Sequence, residues 1–146
     1  MKIDHKESFG DFGEQFIKDK EIDGYFGSLE LIKDIVYPYD LNEINNKIIA
    51  EIGVGSGRIL KNLIKFYPQK IYGIEPSKAI SIAKSNLDSD KIDFLNIRAE
   101  DLSFQNEIDY IFSIGVIHHI PNYKVAIKKI HNSLKPGGKF IMWVYG

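Results

Sequence analysis

From Ile44 onward, short apolar runs alternate with stretches of helical period, and this alternation narrows the possible folds more than any other feature. "KIIAEI" reads as a buried strand. "SGRILKNLIKFY" reads as a helix with Ile59, Leu60, Leu63, Ile64 and Tyr67 on one side. "KIYGIE" is a second strand, and "SKAISIAKSNL" a second helix with Ser77 as its cap. "KIDFLNI" is a third strand, and "EIDYIFSIGVI" contains a fourth. "NYKVAIKKIHNSL" is a third helix in the series, "PGG" a turn and "KFIMWVY" a fifth strand. Buried strands separated by amphipathic helices imply an α/β chain. The expected architecture is a doubly wound, mostly parallel sheet with helices on both faces and right-handed crossovers. Such sheets bind ligands beyond the carboxyl ends of their strands, at the switch point, which directs attention to the loops after the first four strands.

Upstream, "SLELIKDIVYP" reads as one more helix. Ser28 can cap it, Leu29, Ile32, Ile35 and Val36 form its apolar face, and Pro38 marks its end. Residues 1–27 mix polar and aromatic side chains, broken by Gly10, Gly13, Gly24 and Gly27. The organisation expected is a single domain, with residues 1–43 as a helical lid or cap on a core of residues 44–146.

The bulk properties exclude several function classes. A length of 146 residues suits one domain with a real core. Hydrophobic residues make up 44% and charged residues 27%, as in a soluble globular chain. No run approaches the ~18 apolar residues of a membrane span, and the start lacks the apolar core of a signal peptide. The cytoplasm is the expected compartment. A net charge of −1 gives no general basic field, so no nucleic-acid partner is expected. The absence of cysteine excludes disulfides, thiol catalysis and cysteine-bound zinc. The four histidines lack metal-ligand spacing, so no metal site is expected.

"EIGVGSG" carries the first functional signal. Gly53, Gly55 and Gly57 follow a strand and open a helix, where missing side chains permit a sharp turn and close approach of a ligand. A dinucleotide cradle would read G-x-G-x-x-G/A. Here the sixth place is Arg58, and Glu51 precedes the loop where its charge would repel a pyrophosphate. Glu51 favours a ligand with positive charge at that point. Glu75 ends the second strand, where a carboxylate can accept from both ribose hydroxyls. Together these residues favour a ligand with a ribose, a cationic amino-acid part and no diphosphate.

These segments also carry a family resemblance. "EIGVGSG", "GIEPS", "IRAEDLSF", "IDYIFSIGVIHHI" and "LKPGGKFIMWVYG" resemble, in order, the motifs of a class I S-adenosylmethionine-dependent methyltransferase of the type 11/12 group, over about residues 45–146. The resemblance implies a Rossmann-like core that binds S-adenosylmethionine and releases S-adenosylhomocysteine. It implies that the glycine loop (Gly53, Val54, Gly55, Ser56, with Gly57) contacts the methionine part. Glu51 would help hold the ammonium and Glu75 the ribose, with Pro76 and Ser77 flanking the adenine. In the third motif the family's aspartate is replaced. Arg98 stands there and cannot accept a hydrogen bond, so Glu100, Asp101 or backbone alone reads the adenine, with Ala99 and Glu100 beside the ring. Ser113, Ile114 and Gly115 occupy the place whose backbone accepts from the ammonium, and Gly115 leaves room where cofactor and acceptor meet.

His118 and His119 have two readings, a general base or packing and hydrogen bonding. The aromatic start has two as well. Phe12, Gln15, Phe16, Tyr25 and Phe26 either pack on the core or form a lid that keeps water from the reaction. The family continues beyond strand five with two more strands, so the sheet is expected to be cut after strand five. That leaves an edge carrying Phe140, Met142, Trp143 and Tyr145, open to self-association. The expected function is methyl transfer to a small-molecule acceptor such as a sugar, a lipid precursor, a quinone-like phenol, an amine or a carboxylate. The alternatives are a non-catalytic S-adenosylmethionine-binding domain and a nicotinamide-dependent oxidoreductase.

Overall fold

The computed structural model describes residues 28–146. The candidate lid residues Phe12, Gln15, Phe16, Tyr25 and Phe26 lie outside that range. The described chain runs α1 (Leu29–Val36), β1 (Ile48–Ile52), α2 (Leu60–Leu63), β2 (Lys70–Ile74), α3 (Ile80–Asn86), β3 (Ile92–Leu95), β4 (Ile108–Ile114), α4 (Tyr123–Ser133) and β5 (Leu134–Trp143). Short 3₁₀ turns occupy Leu41–Ile44, Ile64–Phe66, Ala99–Asp101 and Ile117–His119.

The five strands form one sheet in the order β3-β2-β1-β4-β5, and every pairing is parallel. The chain moves outward from β1 through β2 to β3, then returns to the other side of β1 with β4. The switch point therefore lies between the carboxyl ends of β1 and β4. Each face of the sheet has its own apolar layer. Ile49, Ile71, Tyr110 and Phe112 pack with Ile32 and Val36 of α1, Leu60 and Leu63 of α2 and Ala83 of α3. Ala50, Ile52, Ile74 and Ile111 pack with Ala126 and Ile130 of α4 and with the turns at Leu102 and Ile117. Both faces are covered, as buried parallel strands require.

Helix α1 starts where expected. The Ser28 hydroxyl accepts from the Leu31 N–H at 3.2 Å, and the helix ends at Val36, two residues before Pro38. Three local expectations change. The helix after the glycine loop is one turn of α-helix followed by 3₁₀, because Gly57 sits at φ +93°, outside helical geometry, and Tyr67 closes the segment at φ 56°. Ser77 does not cap α3 directly. Its hydroxyl accepts from the Ala79 N–H at 3.2 Å, closing a turn one residue ahead of the helix. "PGG" is not a turn before β5 but a bulge within it. Ile108 pairs with Leu134 and Tyr110 with Lys139, so Lys135–Gly138 bow out opposite Asp109, with Gly137 at φ +79°.

β5 lies at one edge of the sheet, and Met142, Trp143, Val144 and Tyr145 at its end are exposed. Among the described residues, no helix is long and apolar enough to cross a membrane.

Candidate functional site

The end of β1 turns into the glycine loop through three left-handed glycines, Gly53 at φ +81°, Gly55 at φ +57° and Gly57 at φ +93°. At Gly53 the requirement is also steric, since a Cβ would come within 2.3 Å of Val116 Cγ2. A Cβ at Gly55 would meet nothing within 4 Å. The loop is tied to the next strand by the Gly53 and Val54 N–H groups, which donate to the Ile74 carbonyl at 2.8 and 3.2 Å.

Glu75, immediately after β2, is buried and held at both oxygens. Oε2 accepts from the Gly55 N–H at 2.8 Å, and Oε1 accepts from the Ser77 N–H at 3.0 Å. A carboxylate offers about four lone-pair positions, so two backbone donors fix its plane and leave acceptor capacity toward the cleft. Asn96 buttresses this corner by donating to the Glu75 carbonyl at 2.8 Å.

Glu51 lies on β1 with 1% of its surface exposed, and its Oε2 has no hydrogen-bond partner. Burial holds its carboxyl well above the usual range. The Arg58 guanidinium opposes that shift and the Glu75 carboxylate adds to it. Burial likewise lowers the Arg58 guanidinium from its ordinary value, against the pull of Glu51. A buried acidic oxygen without a donor, beside a glycine loop and a half-buried arginine, is a place where a cationic group is stabilised. These residues fit the amino-acid end of S-adenosylmethionine.

Glu51, Gly53, Val54, Gly55, Ser56, Glu75, Ile114, Gly115 and His119 all line one cleft of about 380 Å³. Pro76, Ala99 and Glu100 line a narrower slot that shares Gly53 and Val116 with it. The expected methionine end and the expected adenine end thus meet at Gly53. Four candidates stand outside these walls. Gly57 is buried, and a Cβ there would press on Leu87 at 2.8 Å. Ser77 is buried and works through its N–H on Glu75. Ser113 is fully buried within β4, with no partner for its hydroxyl. His118 is exposed and leans on Tyr145, with ring centroids 4.3 Å apart. Of the substitutes for the third-motif aspartate, Asp101 is engaged by Arg98 at 3.0 Å, whereas Glu100 faces the slot.

Several lining residues were not singled out from sequence. Leu31 and Ile35 of α1, Arg58, Ile59, Val116, Trp143 and Tyr145 complete the cleft. Tyr145 is the most consequential. Its hydroxyl lies 2.9 Å from His119 Nε2, and its ring packs where a Gly115 side chain would stand, with Cε1 3.3 Å from an ideal Cβ. The room left at Gly115 is therefore taken by Tyr145. Only the post-strand position of "WVYG" hinted at this role. Burial and His118 lower the His119 imidazole from its ordinary value.

Comparison with known proteins points the same way. A family model described as a methyltransferase domain matches residues 50–142. The chain is 32% identical over 103 residues to phosphoethanolamine N-methyltransferase 2 of Caenorhabditis elegans, across 67% of this chain and 24% of that protein. It is 26% identical over 106 residues to a tRNA U34 carboxymethyltransferase of Pseudoalteromonas atlantica, across 70% of this chain and 33% of that protein. Its fold matches phosphoethanolamine N-methyltransferase 2 of Haemonchus contortus, solved with phosphomonomethylethanolamine and S-adenosylhomocysteine. The TM-score is 0.67 and the identity 24%, over 84% of this chain and 29% of that one. The chain spans a third or less of the length of each.

Proposed function

The chain belongs to the methyltransferase-domain family, and from that premise we propose that it transfers the methyl group of S-adenosylmethionine to a small-molecule acceptor. The observation that carries this reading is the pair of buried carboxylates around the glycine loop. Glu75 is fixed at both oxygens with acceptor capacity left over, and Glu51 keeps one oxygen without a partner. The first suits a ribose diol, and the second suits an ammonium.

When bound, the cofactor supplies a methyl group already activated on a sulfonium. The chain's residues do the rest. The glycine loop lets backbone approach the amino-acid end. Glu51 meets the ammonium and Glu75 the ribose, while Glu100 and Pro76 border the base. Ile114 and Gly115 set the far wall, past which an acceptor must come into line, and much of the acceleration comes from that alignment.

Small size of the acceptor is supported by the cleft's apolar walls at Leu31, Ile35, Ile114 and Trp143 and by a net charge of −1, which provides no field for a polyanion. The tRNA-modifying relative makes RNA the competing acceptor class. The nicotinamide reading is disfavoured by Arg58, which stands where a dinucleotide cradle has a small residue.

Calorimetric titration with S-adenosylmethionine, S-adenosylhomocysteine and NADH tests the cofactor. Saturable binding of the first two and none of the third is expected, and the reverse would overturn the reading. Labelled methyl transfer to a metabolite extract but not to bulk tRNA tests the acceptor class.

A further inference from the structure

After Asp109 the chain carries no aspartate or glutamate. Its last 37 residues hold five lysines, a formal +5 in a chain whose net charge is −1. The fold turns this sorting along the sequence into sorting in space, because those residues build most of β4 and all of α4 and β5, on one side of the sheet. Three of the lysines are committed. Lys135 pairs with Asp109, Lys139 pairs with Glu43, and half-buried Lys129 lies close enough to Asp101 to favour its ionised form. Lys124 and Lys128 differ. They stand about one turn apart on the solvent side of α4, both are exposed, and neither forms an ion pair among the described residues.

Apolar surface accompanies these lysines. Helix α4 buries Ala126, Ile130 and Ser133 and leaves Tyr123, Val125 and Ile127 exposed. The apolar surface continues around the edge strand. Alternation along β5 puts Phe140 in the layer under α4 and Ile141 in the layer under α1, so Met142 projects on the α4 side and Trp143 on the cleft side. Met142, Trp143, Val144 and Tyr145 are all exposed, and Trp143 and Tyr145 border the cleft. Only Ile120, Pro121 and Asn122 separate His119, in the cleft wall, from the start of α4. One surface therefore runs from the two lysines to the opening of the cleft.

We propose that this surface docks on an anionic lipid bilayer, with the mouth of the cleft turned toward the membrane. The Lys124 and Lys128 ammonium groups meet lipid phosphates, while Tyr123, Ile127, Met142 and Trp143 settle among the headgroups. Charge complementarity selects an anionic occupant, since a segment without acidic residues attracts negative charge and offers it no repulsion. The exposed aliphatic groups select a bilayer over a nucleic acid. Val125 and Ile127 offer nothing to a phosphate backbone, and no arginine follows Arg98 to grip phosphates in pairs or stack on bases. Shape selects a bilayer over an acidic peptide. The outer face of a single helix is convex and cradles no peptide, whereas lipids rearrange around it. Such docking is peripheral. It goes beyond the methyl-transfer reading without depending on it, and adds a route by which an apolar acceptor reaches the apolar cleft walls.

Trp143 is the only tryptophan in the chain, so its fluorescence reports contact at the cleft mouth. The test uses the full chain, without cofactor, and vesicles of phosphatidylcholine alone or with an equal part of phosphatidylglycerol. Sedimentation with the anionic vesicles should be at least fivefold greater than with the neutral ones, with Trp143 emission shifted to the blue. In about 1 M salt, where charges are screened beyond about 3 Å, the bound fraction should fall at least fivefold. Lys124→Glu/Lys128→Glu should lose the binding. Lys84→Glu/Lys91→Glu, the same charge change at exposed lysines near α3 and β3, should keep it. Circular dichroism verifies that both variants fold. Equal binding to the two vesicle types, no binding, or equal loss in both variants overturns the docking. Lysine-dependent binding of polyuridylate or polyglutamate as tight as that of the anionic vesicles also overturns it, since the surface would then take any polyanion. Calorimetry with S-adenosylmethionine keeps the two readings apart. Cofactor binding without vesicle binding overturns the docking alone, and vesicle binding without cofactor binding overturns the methyltransferase reading alone.

Discussion

The Gly55 N–H donates to Glu75 Oε2 across 2.8 Å, joining the loop after β1 to the residue that follows β2. One bond thus sets two functional parts against each other. The glycine loop takes its shape from left-handed backbone, and the carboxylate takes its orientation from that loop and from the Ser77 N–H. Neither would be in place without the parallel β1–β2 pairing, which brings Glu51 level with Gly73 and Ile52 level with Ile74.

The three loop glycines should separate folding from binding. Gly53→Ala combines a left-handed φ with a Cβ 2.3 Å from buried Val116, and should destabilise by roughly 2–4 kcal/mol. Gly55→Ala meets only open space and should destabilise by about 1–2 kcal/mol, yet it places a methyl on the cleft wall. Gly57→Ala should fall between them, because Leu87 Cδ1 is the far end of a flexible side chain. Urea midpoints should rank Gly53→Ala lowest and Gly55→Ala highest. Cofactor affinity should nonetheless fall at least tenfold in Gly55→Ala.

Glu51 predicts a pH dependence of stability. Its folded value is raised well above the unfolded one, chiefly by burial. Between the two values the folded chain binds a proton that the unfolded chain has released. Stability therefore falls as pH rises from the ordinary carboxylate range through the raised value. A bound ammonium favours the ionised form, so cofactor affinity should rise across the same window, with proton release. Glu51→Gln should flatten the stability profile and raise stability at neutral pH, while weakening cofactor binding. Thermal melts across pH, and calorimetry in buffers of different ionisation heat, measure these opposite signs. A Glu51→Gln chain that melts lower at neutral pH would contradict the assignment.

The helix over the cleft depends on its cap. Ser28→Ala removes the acceptor of the Leu31 N–H and should destabilise by about 1 kcal/mol. Because Leu31 and Ile35 line the cleft, fraying of α1 should also weaken cofactor binding modestly. Denaturant unfolding and calorimetry on the same variant check both.

What could be read from sequence follows from how local each signal is. β1, β2, β4 and the glycine loop were legible because apolar runs and glycines at fixed places are properties of neighbouring residues. Glu51 and Glu75 were legible because strand-end positions follow from those runs. The helix after the loop was overextended, since nothing in "SGRIL" announces that Gly57 is left-handed. The Lys135–Gly138 bulge was missed because it depends on pairing with β4. Tyr145 was missed as a cleft residue because its place comes from contacts with Gly115 and His119, 30 and 26 positions away in the chain. Of the paired histidines, only the turn geometry shows that His119 faces the cleft while His118 is exposed.

The most direct test of the account is calorimetric titration of S-adenosylmethionine into wild type and Glu75→Ala at neutral pH, with circular dichroism to verify the fold. The variant loses the acceptor assigned to the ribose and the anchor of the Gly55 and Ser77 N–H groups. Charge-assisted hydrogen bonds contribute about 1.5–3 kcal/mol each, and about 1.4 kcal/mol is tenfold in affinity. The account predicts binding to the wild type and an affinity at least tenfold weaker in Glu75→Ala. Equal affinity in a folded variant would contradict it.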